Sequence, residues 1–90
     1  MRILKSRLKT ALYQATRCGI QHTGYPCNTC FHALPLEISS DELHELWLSV
    51  LVYRGDYKKG EIDQTPETVR NNIEKLMNLL VELPNVIMGD

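Results

Sequence analysis

The stretch CGIQHTGYPCNTC, residues 18–30, contains all three cysteines of the chain and one of its three histidines. Thiolates and imidazoles are the side chains that zinc prefers in proteins, usually four of them in a tetrahedral arrangement. The spacing is Cys18-x3-His22-x4-Cys27-x2-Cys30, and the gap of two residues between the last two cysteines is typical of a tight zinc-binding turn. The sequence therefore predicts a zinc site whose ligands are Cys18, His22, Cys27 and Cys30.

Two alternatives remain open at this point. His32 competes with His22 as the fourth ligand, and we favour His22 because a single residue between Cys30 and His32 is a short gap for two ligands of a tetrahedral ion. The alternative to any metal is that the thiols are small apolar side chains of the core. Four protein ligands predict a closed, structural ion, since a catalytic zinc keeps one position open for water. We therefore expect no enzymatic activity.

Parts of this stretch resemble motifs of known families. Its ligand content is similar to that of a zinc knuckle, although the order and gaps differ from that family's Cys-Cys-His-Cys pattern. His22-x4-Cys27-x2-Cys30 resembles the His-x3-Cys-x2-Cys element of zinc-binding anti-sigma factors, with a longer first gap, and this resemblance implies a small helical inhibitory domain. Residues from Pro26 to Cys30 resemble half of the nucleoside deaminase signature. The other half, His-x-Glu, is missing because no acid precedes Glu37, so the deaminase activity is excluded.

One helix is predicted before the cysteine stretch and one after it. The first runs from about Ile3 to Arg17, and its apolar stripe, extended by three residues, places Cys18 on the core side. The second begins after the sequence SSDE, where Ser39 opens a capping-box pattern, and it ends at Gly55. Its wide apolar arc predicts a central helix that is covered on more than one side. The residues of this arc are Leu43, Leu46, Trp47, Leu48, Val50, Leu51 and Val52.

A third helix is predicted from Thr65 and Pro66, which suit an N-cap and a first helical position, up to Pro84. Its apolar residues alternate at spacings of four and three and form a narrow seam. They are Val69, Ile73, Leu76, Leu80 and Leu83. The seam predicts one wall of an intramolecular core or, alternatively, the contact of a homodimer through this third helix. The following residues 86–88 are apolar as well and need cover from the core or from a partner.

The composition bounds the class of protein. The chain has 90 residues, of which 43% are hydrophobic and 23% charged, as in an ordinary globular protein. We predict a single zinc-stabilised domain over residues 1–90, all-α, with three helices and a zinc-knuckle-like loop between helices 1 and 2. No apolar run approaches the ~18 residues of a membrane span. We therefore expect a cytoplasmic protein, in a compartment where thiols stay reduced.

The charge is unevenly distributed along the chain. The formal net charge is −1, but residues 1–36 carry +5 and residues 37–90 carry −6. The basic residues of the first part are Arg2, Lys5, Arg7, Lys9 and Arg17. Either the two parts attract one another in the folded protein, or the basic residues contact an anionic partner.

These observations favour a binding role. We expect a small cytosolic regulatory or adaptor module that binds another protein through helical surfaces and contains a structural zinc site. The alternative is a nucleic-acid-binding protein that uses the basic N-terminal helix and the zinc knuckle. A pI near 6.3 favours the first, because proteins that bind nucleic acid are usually more basic.

Overall fold

The computed structural model describes residues 2–18, 25–57 and 60–83, with side chains from Lys5 onward in the first of these ranges. Within them the chain forms four helices: α1 (Arg2–Thr16), α2 (Asn28–His32), α3 (Ser40–Arg54) and α4 (Pro66–Val81). The all-α class and the three long helices are confirmed. The short helix α2 was not predicted and occupies part of the expected loop.

The ends of the long helices follow their sequence signals. The Ser39 hydroxyl accepts a hydrogen bond from the Glu42 N–H at 3.1 Å, which caps the start of α3. Gly55 ends that helix in the left-handed region, at φ 92°, where glycine has no steric cost. Thr65 caps α4 in the same way as Ser39 caps α3, with its hydroxyl 3.1 Å from the backbone nitrogen of the third residue on. The predicted starts of both helices are confirmed.

The end of α1 is less ordinary. Arg17 has φ 53°, a left-handed conformation that costs a non-glycine residue about 1–2 kcal/mol. Its N–H donates to the Tyr13 carbonyl at 2.7 Å, and the N–H of Cys18 lies 3.3 Å from the Thr16 hydroxyl oxygen. These bonds turn the chain sharply after the helix. As a result Cys18 is buried, with 6% of its surface exposed, as the apolar stripe predicted.

The core lies where α4 meets α3 and α1, and α2 covers the side of α1 and α3. Four residues of the α4 seam are fully or almost fully buried there: Val69, Ile73, Leu76 and Leu80. The seam is therefore one wall of the intramolecular core, the first of the two interpretations above. These side chains are not accessible to a second copy, so the homodimer stays a prediction that requires another surface. Residues 86–88 lie outside the described part of the chain.

A polar network joins α3, α4 and the segment between them. The Ser49 hydroxyl is fully buried and donates to Gln64 Oε1 at 2.7 Å, and it accepts from Asn72 Nδ2 at 2.7 Å. The Gln64 amide nitrogen in turn donates to the carboxylate of Glu45 at 3.0 Å. The network satisfies each of these polar groups and fixes the register of the two helices.

Candidate metal centre

The structure brings the three cysteines together from two elements. Cys18 follows the sharp turn at the end of α1, Cys27 is the N-cap of α2, and Cys30 lies within α2. The backbone N–H of Cys30 donates to the Cys27 sulfur at 3.4 Å, so this sulfur takes the place of the usual capping oxygen. The predicted tight turn is therefore the first turn of a helix.

Helix α2 is held in place by one aromatic residue. Phe31 is fully buried, and its ring centroid lies 4.8 Å from that of Trp47 on α3. Aromatic pairs at this separation contribute beyond the area they bury. Because Phe31 is the neighbour of Cys30 in sequence, its packing fixes the position of the Cys30 backbone relative to α3.

The distances between the sulfur atoms suit a metal ion. All three Sγ atoms lie within 4.8 Å of one another, and the Cys18 and Cys27 sulfurs are 4.0 Å apart. Two thiolates on one tetrahedral zinc, each at about 2.3 Å from the ion, are about 3.8 Å apart. The three thiols are free, not paired in a disulfide. The cluster of Cys18, Cys27 and Cys30 could hold a metal ion, and thiolate ligands select soft or borderline ions such as zinc.

The thiol of Cys30 keeps its proton more tightly than an ordinary cysteine. Hydrogen bonds with the Cys27 sulfur first and the Cys18 sulfur second raise the pKa of Cys30 to about 12. The physical cause is that the neutral Cys30 thiol is stabilised by its two neighbours, whereas a Cys30 thiolate would stand beside their electron-rich sulfurs. A divalent cation reverses this preference, because it stabilises every thiolate that coordinates it.

The histidines are placed differently from the cysteines. His32 is exposed, and its Nδ1 lies 2.9 Å from the Asn28 carbonyl oxygen, to which it donates because a carbonyl can only accept. Within the described ranges, no histidine nitrogen joins the group of three sulfurs. His22, the favoured fourth ligand, lies outside the described residues. His44 on α3 is exposed, and its ring centroid lies 6.1 Å from that of His32.

The residues predicted for nucleic-acid binding are partly visible. Lys5, Arg7 and Lys9 are exposed on α1, and Arg17 is exposed just beyond its end. The side chain of Arg2 lies outside the described part of the molecule. Tyr13, one turn beyond Lys9 on the same stripe, is 44% exposed.

Sequence reasoning missed the packing of Tyr25, two residues before the Cys27 cap. Tyr25 is 4% exposed, and the Arg54 guanidinium lies over its ring at 5.2 Å from the centroid, a cation–π contact. Burial first, and the nearby Tyr53 second, raise the pKa of Tyr25 to about 12. No pattern in the sequence indicates this contact, because it joins a residue of the cysteine stretch to the end of α3.

Among the described residues, no helix is both long enough and apolar enough to cross a membrane. Comparison with protein-family models finds no match for the chain. Searches of curated proteins and of solved structures find no significant match either.

Proposed function

We propose that the protein is a small regulatory or adaptor module that binds another protein through its helical surfaces, and that a structural zinc ion holds its helices together. The cluster of Cys18, Cys27 and Cys30 carries the proposal. An ion held there would join the end of α1 to the start of α2, two elements separated in sequence, and would thus act as a cross-link. A domain this small gains much of its stability from such a cross-link.

His22 is the proposed fourth ligand. It is four residues beyond Cys18 and five before Cys27, so the chain between the two thiolates can carry it to the ion. His32 is less suitable, because it lies two residues beyond Cys30 on the same short helix. Two residues of helix turn by about 200°, which directs His32 away from the face that carries Cys30.

A zinc ion with these four ligands would have a structural role and would not catalyse a reaction. Three thiolates and one imidazole complete the tetrahedral coordination, so no position is left for water or substrate. The residues of the chain instead position the two helices, and the burial of Cys18 shields part of the ion from solvent. We therefore propose that the protein is a binding protein and not an enzyme.

Surface composition supports a protein partner. Val81 on α4 is 52% exposed and Tyr57, beyond the end of α3, is 43% exposed. Near the end of α4 a groove of mixed polar and apolar lining opens between Leu36 and Leu79. Aromatic side chains are enriched at the centre of protein interfaces, so the exposed Tyr57 favours a protein partner.

The metal is tested by native mass spectrometry of the protein with and without a chelator. We expect a mass that exceeds that of the bare chain by one zinc ion, and the loss of this increment on chelation. A protein purified with zinc in the medium that shows only the mass of the bare chain contradicts the structural ion.

The structural role is tested by Cys27→Ser, with Thr29→Ala as the matched control. Thr29 is exposed and lies between the two cysteines of α2, so its truncation should leave the helical circular dichroism unchanged. Cys27→Ser should reduce both zinc content and helicity, because metal binding and folding are coupled in small metal-stabilised domains. Unchanged helicity in Cys27→Ser would contradict the role.

Protein binding is tested by capture from an extract of the native host, followed by reconstitution with the purified partner. We expect one or a few proteins that bind directly and lose binding on chelation. Failure of every captured protein to bind in reconstitution would contradict the adaptor function.

A second candidate function rests on the exposed stripe of Lys5, Lys9 and Tyr13 on α1. Such a stripe can contact phosphates and stack on a base. Titration with DNA and RNA at two salt concentrations tests it. Binding that weakens with salt and is abolished by Lys5→Glu with Lys9→Glu favours nucleic acid, whereas no binding at low salt eliminates it.

A further inference from the structure

A groove lies between the segment that joins α2 to α3 and the last turn of α4. Its volume is about 220 Å³. It is lined by Pro35, Leu36, Glu37, Leu79, Glu82 and Leu83. None of these residues belongs to the metal cluster or to the basic stripe, so the groove is a separate feature of the surface.

The size of the groove limits what it can bind. Pockets for small molecules usually enclose about 300–1,000 Å³. At about 220 Å³ this groove lies below that range and suits one or two side chains of a protein segment. Its lining is mixed: Leu36, Leu79 and Leu83 are partly buried and pack against the core cluster, and two glutamates lie beside them.

The charge of the groove indicates which side chain fits. Glu37 and Glu82 are exposed at its edge, and within residues 25–57 and 60–83 neither carboxylate forms an ion pair. The groove therefore combines leucine side chains with two carboxylates that form no ion pair within these ranges.

Arginine matches this combination better than any other residue. Its aliphatic stem packs on apolar surface while its planar guanidinium donates to carboxylates, often through two parallel hydrogen bonds. Arginine is also among the residues that most often anchor protein interfaces.

We propose that this groove is the docking site for a partner protein segment that inserts an arginine flanked by apolar residues. The inference rests on the proposed adaptor function and names the chemistry of its partner. The guanidinium lies between Glu37 and Glu82, and the apolar neighbours of the arginine pack on Leu36, Leu79 and Leu83.

Other occupants fit less well. Residues 84–90, PNVIMGD, directly follow Leu83 but contain no lysine or arginine, so they cannot compensate the two carboxylates. A second copy of the chain could present the basic residues of α1. Both are distinguished from a partner segment by the experiment below.

The experiment measures binding of a short acetylated and amidated peptide with arginine between leucines, followed by ¹H–¹⁵N NMR of the zinc-loaded protein. The comparison peptide carries citrulline, a neutral arginine analogue, at the same position. We expect shifts concentrated at Leu36, Leu79 and Leu83, and weaker binding of the citrulline peptide by about fivefold or more. The double variant Glu37→Gln, Glu82→Gln should lower the affinity of the protein for the arginine peptide by the same factor. Glu67→Gln removes an exposed acid at the far end of α4 and should have no effect.

Several outcomes would overturn the proposal. NMR shift changes that lie away from the groove exclude the arginine anchor, and so does equal affinity for the arginine and citrulline peptides. Both results can be obtained with the wild type, even if the double variant fails to fold. Binding that appears only after deletion of residues 84–90 identifies these residues as the occupant. Self-association that is lost in the double variant, without peptide binding, identifies a second copy.

Failure of this site and failure of the proposed function are separable. If the wild type and the double variant bind the same reconstituted partner with equal affinity, the adaptor function stands and the groove is not its docking site. If neither binds any protein, both fail.

Discussion

At the scale of single residues, the sequence predicts that the three cysteines lie together. It does not decide which histidine would be the fourth metal ligand. Three thiols in thirteen residues indicate a metal by their chemistry and spacing. The sequence argument against His32 was the short gap after Cys30. In the structure the gap lies in a helix, where two residues turn by about 200°, and among the described residues no histidine nitrogen joins the three sulfurs. Spacing could not show this, because it does not reveal that Cys27 begins a helix.

The fourth ligand can be assigned by two matched substitutions, His22→Gln and His32→Gln. Changes beside a metal ligand typically cost about 10–100-fold in affinity, so loss of a ligand should cost at least about tenfold. We expect His22→Gln to weaken zinc binding by this amount and His32→Gln to leave it within about twofold. Competition with a chromogenic chelator measures both. The reverse order of the two variants would assign the site to His32.

Tyr53 gives the stability a dependence on alkaline pH. Burial chiefly raises the pKa of Tyr53 above the ordinary 10.0, and the nearby Arg70 only partly offsets this. The folded protein therefore keeps the phenol proton where the unfolded chain loses it. This contribution to the free energy of unfolding is complete below pH 10.0 and is lost as the pH rises through the pKa of the folded state.

Urea unfolding at constant zinc tests this with Tyr53→Phe. We expect the wild type to lose stability relative to Tyr53→Phe as the pH rises above 10.0. Tyr57→Phe, at an exposed tyrosine beyond the same helix, is the control and should follow the wild type. Parallel curves for the wild type and Tyr53→Phe would contradict the assignment.

At the scale of elements, the long helices were predictable because their ends and their apolar stripes agree. Ser39 and Thr65 are capping residues by type, and the structure uses both. Only half of the capping box forms, since the Glu42 carboxylate binds Lys75 on α4. The short helix α2 was missed because five residues carry no periodicity, and its cap is a cysteine instead of an oxygen side chain.

The pairing of α3 with α4 depends on a residue that sequence patterns gave no reason to select. Ser49 lies within an apolar arc, yet its hydroxyl binds Gln64 and Asn72. A serine in a helix is usually indifferent to stability, whereas this one is fully buried and bonds two half-buried amides. Patterns of hydrophobicity cannot show such a network, because it depends on residues 15 and 23 positions away.

Ser49→Ala should therefore destabilise the protein. The half-buried side-chain amides of Gln64 and Asn72 lose the hydroxyl that they share, which typically costs about 0.5–1.5 kcal/mol in the free energy of unfolding. Ser6→Ala, at an exposed serine of α1, should change it by less than about 0.5 kcal/mol. Denaturant unfolding measures both. Equal stability of the two variants would show that the network makes no net contribution to the free energy of unfolding.

At the scale of the whole molecule, the position of the cysteine cluster would make the binding of a metal ion part of folding. The cluster joins the end of α1 to α2, and α2 is anchored on α3 through Phe31 and Trp47. An ion at the cluster therefore connects the N-terminal helix to the rest of the core. The unfolded chain cannot hold its thiolates in this arrangement, so zinc should bind the folded state far more tightly.

Binding to the folded state alone has a quantitative consequence. The free energy of unfolding should rise by about 1.4 kcal/mol for each tenfold increase in free zinc above the dissociation constant. Thermal or urea unfolding in a series of metal buffers measures this slope. Cys27→Ser should flatten it, and Thr29→Ala should reproduce the wild-type slope. A wild-type stability that is independent of free zinc, or an unchanged slope in Cys27→Ser, would show that the ion is not held by this cluster. The three sulfurs would then be apolar core residues that are close together only through packing.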